Sequence, residues 1–319
     1  MKFPSTLLLL SVFSFPAFAL QCGDTVTTTV KMTKDLDCSS YSGFAALNVK
    51  GNGILKGQGK KIISPNTSVG IYAEGQTVKI MDVEIQGSTE ATGISGYNVV
   101  RLVVDNVKAS GMNIGVNYYT EVEYDCDRLK VVDSDLSGNN IGAKVVSPQC
   151  EYFPRFARTD FSNSYQWALN LQAKKLRIRE IQDNTYDGSA NGLSLKASET
   201  ITVDGLDLAS AQIDGVQISA YNSPQIKITD VTVGNNQSVG IDLYDVADIE
   251  IRRTEAVGAG VGIKVATEQV SSKLLVQNSK TSQNGTAGLL VTSYGAKKLQ
   301  SIDISKKNSF LDFVSIQNQ

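Results

Sequence analysis

The sequence predicts an all-β solenoid of about eleven coils, each about 24 residues long and built from short strands joined by polar turns. Two observations lead there. A small residue followed by an aliphatic one returns about every 24 positions, and between returns the chain alternates apolar and polar with period two. One such unit buries a stripe of side chains but has nothing of its own to bury it against, so only stacked copies make a core. The stretch from Asp214 to Gly240 shows the unit most plainly, as three short alternating pieces and three turns.

The first 19 residues read as an export signal: Lys2, an apolar run from Leu7 to Phe15, then Ala17-x-Ala19 before a cut. That run is too short to span a bilayer and no later one is long enough. Leu20 and Gln21 do not suit lipidation of Cys22. A secreted or periplasmic protein without a transmembrane segment is expected. Residues 20–45 are expected to form an N-terminal cap, 46–295 the solenoid and 296–319 a C-terminal cap.

Four cysteines fit an oxidising compartment. Cys22 and Cys38 bracket the first mature segment and would staple it. Cys126 and Cys150 lie about one repeat apart, so stacking could bring their Cα atoms within the roughly 7 Å that a bridge needs. A zinc site is the rival reading, but the spacing is wrong and the chain has no histidine. Net charge is -2 with acids and bases interspersed, so nucleic acid is not an expected partner. No cofactor or metal is expected either.

The ladder runs Ala46, Gly70, Gly93, Gly115, Gly142, Ala168, Gly192, Gly215, Gly240, Gly262 and Gly288. A small residue there suits a tight corner entering a strand. The next residues, Leu47, Ile71, Ile94, Val116, Leu169, Leu193, Val216, Ile241, Ile263 and Leu289, would stack as one interior column, with Ala143 in the slot of an offset fifth coil. The second half of each repeat reads apolar-x-apolar-x-x-apolar-x-apolar, as in Ile226/Ile228/Val231/Val233, and fades around Phe156 to Asn163. A β-sandwich also alternates, but it does not return the same residue class at a fixed interval.

The segment LKGQGKKI, Leu55 to Ile62, and this period together resemble the right-handed parallel β-helix repeat family, the architecture of pectate lyases, polygalacturonases and many carbohydrate-binding export proteins. The resemblance covers Cys22 to about Ile304 and implies fold more than activity. Asn139, Asn163, Asn235 and Asn284 are similar to that family's asparagine ladder, while capping of backbone groups by turn residues is the reading favoured from the residues themselves. The closing segment, from Lys297 to Gln319, loses the period, and its FLDFV run suits a lid over the open end of the stack.

Outward positions of stacked strands form straight rows. The first is expected to hold Asn48, Tyr72, Ser95, Asn117, Lys144, Asn170, Ser194, Gln217, Asp242, Lys264 and Leu290. The second holds Lys50, Glu74, Tyr97, Tyr119, Val146, Gln172, Lys196, Ser219, Tyr244, Ala266 and Thr292. Planar polar groups and tyrosine faces suit a sugar chain, with Tyr72, Tyr97, Tyr119 and Lys144 as candidate contacts. An ordinary solvated sheet face would read the same. Two longer segments, YYTEVEYDCDR and SPQCEYFPRF, would build a wall beside the strip carrying Tyr119, Tyr124, Tyr152, Phe153 and Arg155, or would simply cover a weak coil.

Catalysis has no specific signature. Without histidine, the relatives that use it as acid or base, such as polygalacturonases and mannuronan epimerases, match poorly. Lys196 and Tyr244 could flank a uronate, and Asp214 with Asp242 could pair across a sugar, although surface scatter explains both. The expectation is an exported protein that binds an extracellular polysaccharide or surface glycan, with cleavage or modification left open. The alternative is a structural or adhesive surface module.

Overall fold

The computed structural model describes residues 19–121, 129–268, 270, 272–294, 300–304 and 308–318. Among them there is no helix, and the strands pair in parallel as a solenoid of about eleven turns. The coil from Ile218 shows the build: Ile218–Tyr221, Gln225–Thr229 and Thr232–Gly234, followed one turn later by Val239–Tyr244. Those first and second strands pair with their equivalents in the next coil, Val239–Tyr244 and Asp248–Arg252, and the third pairs with Glu255–Val257 in a separate small sheet. In the earlier coils the first two strands run together through a bend. Val69–Gly87, for example, pairs with Ala45–Gly51 along its first part and with Ile54–Ser64 along its second.

The interior column is continuous. Leu47, Ile71, Ile94, Val116, Ala143, Leu169 and Leu193 pair in register and are wholly buried. The fifth coil is therefore in step, with Ala143 as a full member. The column continues through Ile218, Ile241, Ile263 and Leu289. Ile218, not Val216, occupies the eighth slot. The residue before it is accordingly Gln217 rather than Gly215, and its side chain turns inward. The Gln217 amide donates to the carbonyls of Leu208, Ala211 and Gly234 and accepts from the Gly234 N–H at 2.7 Å. A buried amide with every group partnered replaces the small corner residue used elsewhere.

Where the aliphatic pattern fades, aromatic rings fill the interior. Phe156 and Phe161 are wholly buried and meet edge to face at 5.6 Å, and Phe161 lies over Tyr186 at 5.8 Å. Tyr118 and Tyr152 are buried one coil apart, and the Tyr118 hydroxyl donates to the Val99 carbonyl. The bend between the first sheet's second strand and the third strand is set by one left-handed residue per coil: Asp82, Asn106, Asp133, Arg158, Asp183, Gly205, Asp230, Arg253 and Asn278. Short polar side chains tolerate this conformation. The two arginines are each held by a bidentate pair to the aspartate one coil earlier, Arg158 to Asp133 and Arg253 to Asp230. In LKGQGKKI, Gln58 and Gly59 make the same bend, and Gly57 leaves room for the neighbouring coil, since a Cβ there would lie 2.4 Å from the Asp82 carbonyl oxygen.

Both ends extend the ladder. Thr25–Val26, Thr29–Lys31 and Leu36–Asp37 pair onto the next coil, and a Cys22–Cys38 disulfide closes this first turn. Ser301–Ile304, Ser309–Phe310 and Val314–Asn318 add a further set of strands where a lid was expected. Cys150 is buried, while its expected partner Cys126 lies outside the described residues.

Candidate functional site

The outward rows follow the predicted register except at one coil. Because Gln217 is interior, Ser219 takes its place in the first row, between Ser194 and Asp242. Tyr221 then joins the second row beside Tyr244, with the Lys196 ammonium 5.5 Å from its ring centre. Tyr221 was missed because the glycine at 215 drew the alignment off by two. The usable signal was a tyrosine followed by Asn or Asp, which is left-handed at all three places: Tyr221-Asn222 and Tyr244-Asp245 end their strands, and Tyr97-Asn98 bends within Thr92–Ala109.

The structure brings Tyr72, Tyr97, Tyr119 and Lys144 together. They line a cleft of about 820 Å³ with Phe44, Asn48, Lys50 and Asn117. Tyr97 and Tyr119 occupy equivalent positions on successive strands, so their rings stack with centroids 5.6 Å apart and planes 3° from parallel. Phe44 meets the edge of Tyr72 at 5.6 Å and is 60% exposed. Lys50 is paired with Glu74 at 3.0 Å. Lys144 has no acidic partner among the described residues and is the cleft's unneutralised cation.

The phenols of Tyr72 and Tyr119 are held protonated. Burial, then the charge of Glu74, pushes the Tyr72 pKa up, and a hydrogen bond to Glu121, made at 2.6 Å, does the same for Tyr119. They act as donors and as flat faces rather than as bases. The arrangement offers an aromatic platform, hydroxyl and amide groups, and one positive charge.

The catalytic candidates are not assembled in this way. Tyr221 stands between Lys196 and Tyr244, and the Tyr244 hydroxyl is bonded to Glu268, which pushes its pKa up to about 12. That makes a phenolate base scarce at neutral pH. Asp242 faces Lys264 at 3.4 Å and is flanked by Ser219, whereas Asp214 is exposed on the turn before the strand, so the two aspartates do not face each other across neighbouring coils. Asp245 is buried and accepts the Glu268 backbone N–H. Among the described residues no three acidic or thiol groups converge as metal ligands.

The expected wall is also reduced. Tyr152 turns into the core, Phe153 lies under Arg177 at 5.3 Å, and Arg155 is on the second strand of its coil. Tyr124 lies outside the described residues. Of the turn asparagines, Asn139 and Asn284 cap backbone groups of neighbouring coils. Asn163 and Asn235 adopt the left-handed conformation, and the inward caps there are Ser164 and Asn236, although the Asn235 amide also donates to the Ala209 carbonyl one coil earlier.

A family model described as "Right handed beta helix region" matches residues 160–305. No curated protein matches in sequence. Among solved structures, the A-module of the Azotobacter vinelandii mannuronan C-5 epimerase AlgE4 is similar with a TM-score of 0.54 and 12% identity, covering 91% of each chain. The periplasmic alginate epimerase AlgG is similar with a TM-score of 0.51 and 12% identity, over 89% of this chain and 84% of that one. At such identity the likeness shows the fold.

Proposed function

We propose that this protein binds an extracellular polysaccharide along the outward rows of its first sheet, with the cleft at Tyr72, Tyr97, Tyr119 and Lys144 as the main contact. The observation that carries this reading is the parallel Tyr97–Tyr119 pair beside an unneutralised lysine. Sugar rings present C–H faces that pack on aromatic rings and hydroxyls that need partners, and both are supplied here. Lys144 favours an acidic sugar. The likeness in fold to an alginate epimerase and a mannuronan C-5 epimerase supports a polysaccharide ligand. The Cys22–Cys38 bridge supports a location outside the cytoplasm.

A second reading, an adhesive or structural module, draws on Leu311 and Phe313, which are 72% and 68% exposed beside the last described strand. A glycan array followed by an assay for unsaturated uronate products separates the outcomes. Binding without product is expected. Product formation would make the protein a lyase, and a blank array would favour the adhesive module.

A further inference from the structure

A second feature lies on the other face of the coils, in the outward rows of the second strands. There Arg177, Thr202 and Lys227 stand in register on three successive coils, and Lys175, Thr200 and Gln225 do the same one step back. A threonine ends close to the sheet, whereas lysine and arginine stand well above it. The result is a trench one coil wide, of about 400 Å³, floored by Thr200 and Thr202 and walled by Lys175, Arg177, Arg179 and Lys227. Among the described residues its lining holds no carboxylate.

The carboxylates that pair with these cations lie outside its lining: Asp204 and Glu199, on the floor's own coil, hold Arg179 at 3.7 Å and Lys175 at 3.4 Å, while two others pull the walls apart. Arg177 reaches back to Glu151 at 2.8 Å, and Lys227 reaches forward to Glu250 at 3.7 Å. Lys175 shares Glu199 with Lys174, and Glu250 is shared with Arg252, so the cations outnumber their partners. Exposed ion pairs of this kind contribute little and exchange partners readily. Lys79, Lys130 and Arg155 stand on earlier coils of this sheet in a separate row, which also holds Val103 and leads to position 180 rather than to Arg177.

We propose that this trench is an anion site for sulfate or phosphate esters carried on a sugar polymer, separate from the tyrosine cleft. A tetrahedral oxyanion accepts hydrogen bonds from several directions, which suits donors on two walls and two hydroxyls on the floor. Arg177 and Lys227 stand two coils apart, about 9.6 Å, wider than one oxyanion, and that favours a polymer bearing several esters over a single ion.

The test uses dextran sulfate, with unsulfated dextran as control, titrated into the full chain. The parent should bind the sulfated polymer, more weakly as salt rises, and should ignore dextran. Thr202→Glu places a negative charge on the floor and should weaken binding at least tenfold. Gln237→Glu, which adds the same charge on an exposed turn elsewhere, should change it less than twofold. Should Thr202→Glu fail to fold, the double variant Arg177→Gln/Lys227→Gln should show the loss instead. Tyr119→Ala should leave dextran sulfate binding intact, which keeps this site independent of the cleft. No binding by the parent, equal binding of dextran, or equal losses in Thr202→Glu and Gln237→Glu would overturn the proposal.

Discussion

Tyr97 and Tyr119 lie one coil apart with their rings parallel, and they stand at equivalent positions of in-register strands. Parallel stacking repeats a side-chain direction from coil to coil, so two tyrosines in one row stack into a single aromatic block. Lys144 is one coil further along, in the adjacent row, beside Asn117. Sequence position alone therefore converts three scattered residues into a platform with a charge at its edge.

Lys144→Ala should weaken an acidic glycan more than a neutral one, and the difference should grow at low salt. Titrating a polyuronate and a neutral glucan at two ionic strengths checks this. Stability should barely change, because the side chain points away from the core.

Gln217→Ala should destabilise the protein by about 2–3 kcal/mol, since it strips partners from buried backbone groups at Gly234, Leu208 and Ala211. Phe161→Ala should cost about 3–5 kcal/mol by opening a cavity between Phe156 and Tyr186. Urea denaturation measures both, and glycan binding should survive in the folded fraction.

Asp133 and Asp230 are held below the ordinary carboxylate range, first by hydrogen bonds from Arg158 and Arg253. A depressed folded-state value stabilises the fold above the unfolded pKa and loses that effect as pH falls through the folded one. Arg158→Ala should therefore melt slightly below the parent at pH 7. The gap should close as the pH drops below 3.8, the ordinary aspartate value. A gap that persists in acid would mean that the arginine acts through packing.

Replacing Cys22 and Cys38 together by serine should cost about 3 kcal/mol, the entropy of a loop of this length, seen as earlier unfolding of the first turn. Non-reducing peptide mapping should also find Cys126 joined to Cys150.

The fold was legible because one backbone geometry recurs and leaves the same residue class at the same place. The reading failed where another residue solved the same problem. Gly215 looked like the corner, but Gln217 fills it with hydrogen bonds, and that displaced Tyr221 from view. Phe156 and Phe161 broke an aliphatic pattern that the core itself does not require. The cleft was legible as two rows, since in-register pairing is all that brings Tyr72, Tyr97, Tyr119 and Lys144 together. That Tyr221 stands between Lys196 and Tyr244 was not legible, because the alignment misplaced it.

The most direct test of glycan binding in the cleft is calorimetric titration of Tyr119→Ala against the parent, using the best ligand from the array. Loss of the aromatic platform should weaken binding by about 1–3 kcal/mol, while the melting temperature stays within a degree or so of the parent. Unchanged affinity for every glycan the parent binds would contradict the account and leave the stacked tyrosines as an ordinary exposed face of the sheet.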